Sequence, residues 1–113
     1  MTVVETPVFL RKAALIFDDD ERAELVAFVA SNPEAGSVVP GTGGVRKLRW
    51  AMKGRGKRGG ARVIYYFHDE SAPIFLLSAY AKSVKVNLSK AERSELQKLV
   101  PQLVGSLTRR RAV

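Results

Sequence analysis

The chemistry open to this 113-residue chain is limited by its side-chain inventory. It has no cysteine and a single histidine, which excludes a thiol nucleophile, a thiolate metal site and a multi-histidine metal site. Arginine, lysine and tyrosine remain, a set that suits phosphodiester chemistry on RNA. In that reaction a 2′-hydroxyl attacks the adjacent phosphate, guanidinium groups stabilise the growing charge, and a lysine could act as base or acid. No cofactor is expected.

The positive charge is concentrated in one stretch of the chain. The net charge is +8, and residues 35–68 carry eight basic residues and no acidic one, whereas residues 1–34 carry seven acidic and three basic residues. A block of one sign attracts polyanions, although it could also be a solvated surface without a partner. The basic residues of this stretch are Arg46, Lys47, Arg49, Lys53, Arg55, Lys57, Arg58 and Arg62.

Length and composition predict one domain over residues 1–113, with residues 109–113 as a frayed basic tail. The hydrophobic fraction of 46% is enough for a core without disulfides. No apolar run approaches the roughly 20 residues that span a membrane, and the first residues lack the features of a signal peptide. A cytoplasmic protein without membrane contact is therefore expected.

Hydrophobic periodicity and turn signals predict an α+β fold. An N-terminal helical hairpin and a C-terminal helix pack on a small, mainly antiparallel sheet. The last helix should begin at a Ser89–Glu92 capping box and kink or break near Pro101. Predicted strands cover residues 2–5, 45–52, 61–68 and 74–82. Predicted helices cover residues 7–16, 18 to the Asn32-Pro33 stop, and 89 onward, whereas residues 34–44 and 53–60 are loops.

Side-chain alternation along the three central strands divides the sheet into a core face and an open face. Tyr66 and Tyr80 fall on the open face, where they could stack RNA bases. The cations beside them either catalyse or only position phosphate, and the sequence leaves both possibilities open. The predicted core face holds Leu48, Trp50, Val63, Tyr65, Phe67, Phe75, Leu77 and Ala79, and Leu76 is placed on the open face. The candidate catalytic residues are Lys47, Arg49, Arg62, Tyr80 and Lys82.

Three segments resemble the HigB branch of the RelE/ParE toxin superfamily. They read GGVRKLRW at residues 43–50, GGARVIYYF at residues 59–67 and LLSAYAK at residues 76–82, and the similarity continues into LSKAE at residues 88–92. The family fold that this resemblance implies is RelE-like, with a short strand, a helical hairpin, a three-strand meander and a terminal helix. The order of the predicted elements is the same.

The resemblance implies a toxin of a type II toxin–antitoxin pair. Such toxins are similar to RelE in acting as metal-independent, ribosome-dependent endoribonucleases that cut mRNA in the A site and inhibit translation. The implied partners are the 70S ribosome with its rRNA, the mRNA and a cognate helix-turn-helix antitoxin. Two alternatives stay open: a ParE-like toxin that poisons DNA gyrase, and a non-catalytic RNA-binding module.

Roles for individual residues also follow from the resemblance. Arg62 falls where the family has a strand arginine that contacts the scissile phosphate, and Lys82 falls near a second catalytic arginine. The tyrosine that RelE has near the position of Leu88 is missing, so Tyr80 is the candidate substitute. The cations expected to bind RNA or the ribosome are Arg46, Lys53, Arg55, Lys57 and Arg58.

Overall fold

The computed structural model of the protein describes residues 1–51 and 60–111, with side chains described as far as residue 107. These residues form an α+β fold, as predicted, with helices on both faces of a mixed sheet. The elements in chain order are β1 (Val3–Glu5), α1 (Pro7–Ala13), α2 (Asp19–Ser31), β2 (Ser37–Val38), β3 (Val45–Trp50), β4 (Ala61–Tyr66), β5 (Ile74–Ala81) and α3 (Lys90–Arg111). No helix within the described ranges has the length and apolarity needed to cross a membrane.

The sheet has the strand order β1-β5-β4-β3-β2. The predicted antiparallel meander of β3, β4 and β5 is confirmed, and β1 joins it in parallel beside β5. The short strand β2 lies in a segment that was predicted to be a loop. It has two exposed residues, Ser37 and Val38, which pair with β3, so no run of apolar residues marks it.

Side-chain caps start the first two helices where the sequence predicts them. The Thr6 hydroxyl accepts a hydrogen bond from the Phe9 N–H at 3.3 Å, and Pro7 occupies the first turn of α1. Asp18 and Glu21 form a complete capping box at α2, with hydrogen bonds of 2.7 and 3.1 Å. Helix α1 ends at Ala13 rather than at the predicted residue 16, because the N–H groups of Leu15 and Ile16 bond to carbonyls three residues back.

One face of the sheet packs against α1 and α2. Phe9, Leu25 and Val29 are fully buried there against Tyr65 and other sheet residues. The Tyr65 hydroxyl donates to the Pro33 carbonyl oxygen at 2.7 Å and accepts from the Gly36 N–H at 2.9 Å. This core therefore also fixes the segment that links α2 to β2.

The second face of the sheet was predicted to be open, but α3 covers it in large part. Val100 packs there against Ile64, Tyr66 and Leu77, all of them buried. An extended sheet with two apolar faces needs cover on both, and α3 supplies the second cover. Tyr66 is only 6% exposed, so the prediction that its ring is available to stack RNA bases is wrong.

The face assignment of β5 is also wrong over part of the strand. Ile64 pairs with Ser78 and Tyr65 pairs with Leu76, so Leu77 has no partner in β4. This bulge inserts one extra residue and inverts the alternation on its N-terminal side. Leu76 is consequently buried with α1 and α2, whereas Phe75 and Leu77 belong to the α3 face.

Helix α3 runs from Lys90 to Arg111 with Pro101 in its interior, so a break at Pro101 is wrong. Val100 and Leu107 are buried on either side of the proline. The packing of Val100 on the sheet stabilises the helix where the proline removes a backbone donor. Of the predicted tail, residues 109–111 are helical and residues 112–113 lie outside the described residues.

The N-terminus of α3 is tied to the segment before it. The predicted capping box is present: the Ser89 N–H donates to Glu92 Oε1 at 2.8 Å, and the Glu92 N–H donates to Ser89 Oγ at 3.1 Å. The Lys85 ammonium donates to the other carboxylate oxygen of Glu92. The hydrogen bond from Lys85, followed by that from the Ser89 backbone, lowers the pKa of Glu92 to about 2.

Replacing this carboxylate should give a pH-dependent loss of stability. A pKa lowered from 4.5 to about 2 means that Glu92 contributes stability above pH 4.5 that is lost as the pH falls toward 2. We expect Glu92→Gln to cost about 1 kcal/mol near neutral pH, since the pair is a third exposed and water screens it. Urea unfolding of both proteins at pH 7, 4 and 2.5 measures the difference. A gap that stays constant across this range would contradict the assignment.

Candidate active site

Two arginines and a tyrosine lie in one row across the three central strands. Arg49 of β3 pairs with Arg62 of β4, and Arg62 pairs with Tyr80 of β5. Residues directly opposite one another in an antiparallel ladder have their Cβ atoms about 5 Å apart on the same face. This Arg49–Arg62–Tyr80 row lies next to the connection between β3 and β4. The structure thus brings together three of the five predicted catalytic residues.

Arg62 is the buried member of the row, with 6% of its surface exposed. Its Nη1 donates to the carbonyl oxygen of Ala61 at 3.1 Å. Arg49, opposite it, is exposed. Like charges in directly opposed positions destabilise a sheet, so an anion held between the two guanidinium groups would be favourable. Because Arg62 is shielded from water, its attraction for such an anion is stronger than at the surface.

Tyr80 is also buried, with 8% of its surface exposed. Its hydroxyl has no hydrogen-bond partner among the described residues. Burial raises the pKa of Tyr80, the nearby positive charge of Arg62 opposes that rise and the negative charge of Glu92 adds to it. The phenol is therefore protonated at neutral pH and has a proton to donate.

Lys85 covers the ring of Tyr80. The Lys85 Nζ atom lies 4.8 Å from the ring centroid, within the range of a cation–π interaction, and the same ammonium pairs with Glu92. The prediction that Tyr80 offers its ring to RNA bases is therefore wrong. Sequence reasoning missed Lys85 and found Glu92 only as a helix cap, because the contact joins a turn to a helix and follows no local periodicity.

Lys47 and Lys82 are the other two predicted catalytic residues. Each lies two residues along the chain from a member of the row. Lys47 pairs with Ile64, two residues from Arg49 along β3, and its Nζ donates to Asn87 Oδ1 at 3.2 Å. Lys82 follows the end of β5 and is exposed, and its backbone N–H donates to the Gly60 carbonyl oxygen at 3.0 Å.

The predicted RNA-binding cations are not all beside the row. Arg46 pairs with Tyr65, so it faces the α1 and α2 side of the sheet. Its Nη1 donates to the carbonyl oxygens of Gly36 and Glu34 at 2.7 and 3.3 Å, which fastens the segment before β2. The other four, Lys53, Arg55, Lys57 and Arg58, lie outside the described residues.

Among the described residues, neither a metal-ligand cluster nor His68 lies at the row. Within residues 1–51 and 60–111 there is no group of three or more histidines, aspartates or glutamates that could hold a metal ion. His68 lies beyond the opposite end of β4, where its Nδ1 is 3.2 Å from the Tyr66 hydroxyl and its Nε2 is 3.7 Å from Asp69 Oδ2.

The row has two of the parts that acid–base cleavage of a phosphodiester needs, namely an anion-binding pair and a proton donor. Two guanidinium groups can bind the phosphate and stabilise the charge of a five-coordinate transition state. A protonated phenol lies next to them, and it can give a proton to an oxygen of that phosphate once the side chains that bury its hydroxyl move aside.

A comparison with known protein families identifies the family of the chain. Residues 19–110 match a family described as the RelE toxin of the RelE / RelB toxin-antitoxin system. The matched region begins with α2 and includes every residue of the Arg49–Arg62–Tyr80 row, together with Lys47, Lys82 and Lys85. It covers most of the chain, and the protein therefore belongs to the RelE family of toxins from toxin–antitoxin systems.

Proposed function

We propose that this RelE-family toxin belongs to the HigB branch and is an endoribonuclease that cuts mRNA in the A site of the 70S ribosome, so that translation stops. The observation that carries the proposal is the Arg49–Arg62–Tyr80 row, in which an exposed arginine, a buried arginine and a buried protonated tyrosine share one face. The protein acts in the cytoplasm, and a cognate helix-turn-helix antitoxin neutralises it.

The reaction is a transesterification that needs no metal. The 2′-oxygen of the substrate attacks the adjacent phosphorus, the bond from phosphorus to the 5′-oxygen breaks, and a 2′,3′-cyclic phosphate and a 5′-hydroxyl result. A base accepts the proton of the 2′-hydroxyl, and the phenol of Tyr80 gives its proton to the departing 5′-oxygen. Lys47, held by Asn87, and Lys82 are the candidates for the base.

The two arginines stabilise the transition state from different positions. Arg62 has little contact with water, so its charge acts on the phosphoryl oxygens without competition from solvent. Arg49 is exposed and can bind the incoming phosphate before the chemical step. Arg62 is therefore assigned mainly to the rate of the chemical step, and Arg49 mainly to binding of the RNA phosphate.

The charge of the chain supports a ribosomal site of action. The sequence between β3 and β4 carries Lys53, Arg55, Lys57 and Arg58, and it begins two residues after Arg49 in the chain. Four cations at this position could bind rRNA phosphates while the adjoining row contacts the message. The affinity of the toxin for the ribosome, and with it the rate of cleavage, is thus expected to fall steeply as the salt concentration rises.

Cleavage should be observed only in the presence of ribosomes. We expect purified toxin to cut an end-labelled message in a translation extract, but not the same message as free RNA. The products should carry a cyclic phosphate and a 5′-hydroxyl. Intact message in an extract whose translation has stopped would contradict the proposal, and accumulation of gyrase-cleaved DNA in growing cells would favour a ParE-like activity instead.

Arg62→Gln should abolish most of the activity. Removing a buried charge that faces the phosphate is expected to slow cleavage on ribosomes by at least about 100-fold. Circular dichroism shows whether the variant is folded, since Arg62 is buried and also holds the Ala61 carbonyl. Arg11→Gln, on the exposed side of α1, is the matched control and should cut at the wild-type rate. Equal rates for the two variants would remove Arg62 from the site.

Tyr80→Phe should separate activity from stability. The hydroxyl has no hydrogen-bond partner among the described residues, so its removal should leave the melting temperature unchanged. The rate of cleavage on saturating ribosomes should fall by about 100-fold, the usual size of a general-acid contribution. A wild-type rate in this variant would show that another group protonates the 5′-oxygen.

A further inference from the structure

We propose that Lys85 is a positioning residue of the same reaction, whose ammonium stabilises the phenolate that forms as Tyr80 gives up its proton, and that Glu92 holds this ammonium in place. The inference rests on the proposed function, because it adds a second residue behind the proposed proton donor.

The geometry places a cation on the face of the ring rather than at its hydroxyl. The Lys85 Nζ atom is 4.8 Å from the ring centroid of Tyr80. Tyr80 is 8% exposed, and about a third of the Lys85 and Glu92 side chains is exposed. An ammonium that is partly removed from water interacts more strongly with an aromatic face than one at an open surface.

The chemical argument concerns the difference between ground state and transition state. As the O–H bond of Tyr80 breaks, its electron pair stays on the oxygen and the negative charge spreads into the ring, while the proton goes to the 5′-oxygen. The attraction between the ammonium and the ring therefore grows during the step. An interaction that is stronger in the transition state raises the rate and leaves substrate affinity nearly unchanged.

Glu92 supplies the constraint that a flexible lysine needs. Its carboxylate is fixed at the first turn of α3 by the reciprocal capping box with Ser89. It accepts the hydrogen bond from Lys85 through the other oxygen. A lysine alone has many rotamers, and this pairing selects one that lies over Tyr80. The carboxylate of Glu92 thus acts through Lys85 and is not in the row itself.

Lys85→Met and Lys85→Arg separate charge from packing. Methionine keeps most of the apolar stem but has no charge, and arginine keeps a cation that stacks on aromatic faces. In single-turnover cleavage on ribosomes, Lys85→Met should lower the maximal rate by about 10-fold, with the half-saturating ribosome concentration unchanged. Lys85→Arg should cut within about threefold of the wild type.

A message with sulfur in place of the 5′-bridging oxygen tests the proton-transfer link directly. The sulfur is placed at a cleavage position first mapped with the unmodified message. A thiolate departs without a proton, so the deficits of Lys85→Met and Tyr80→Phe should both disappear on this substrate, whereas that of Arg62→Gln should persist. Glu92→Gln should lose less rate than Lys85→Met on the unmodified message, because it also removes a negative charge that opposes the phenolate, and it should lose none on the sulfur message.

The outcomes distinguish this inference from the proposed function. If the wild type cuts and Lys85→Met matches it on the unmodified message, the role of Lys85 is wrong and the proposed function stands. If Lys85→Met loses the same fraction of the cleavage rate on the oxygen and the sulfur message, Lys85 has a structural or binding role. That result would also overturn the inference. A wild type that cuts neither message would overturn the proposed function itself.

Discussion

The burial of β4 on both faces is the constraint on which the rest of the structure depends. All six residues of this central strand are buried, and one of them is Arg62. A charge in such a position is costly unless it is paired or binds an anion. The helices that cover the two faces make the strand the core of the domain, and Arg62 is shielded from water within that strand. Stability and the proposed chemistry thus come from the same packing.

Much of the fold could be predicted from local sequence. Caps at Thr6, Asp18 and Ser89 lie where short polar side chains precede helical runs, and the central strands follow runs of β-branched and aromatic residues. Strand faces were harder to predict, because one extra residue in β5, opposite the step from Ile64 to Tyr65, inverts the alternation. Nothing in an apolar run such as IFLLSAYA marks where a bulge falls.

The candidate site could be predicted only in part, and the reason is again physical. The bulge does not separate Arg49, Arg62 and Tyr80, because Tyr80 lies after it in β5 and Arg62 lies before it in β4. Simple alternation therefore placed all three on one face. Their exposure could not be predicted, because it depends on how α3, which continues past Pro101, packs over the sheet. The contact of Lys85 with Tyr80 joins residues from different elements, and sequence spacing has no signal for it.

The parallel pairing of β1 with β5 has a consequence for how the protein is made. Val3 pairs with Ile74, and Thr6 bonds through its N–H and its hydroxyl to the Leu76 carbonyl. The first strand synthesised can take its place only after the third strand of the meander has left the ribosome. The second face of the sheet must wait longer, for α3, which follows β5 in the chain. The surroundings of Tyr80 on this face are therefore completed only after α3 has been synthesised.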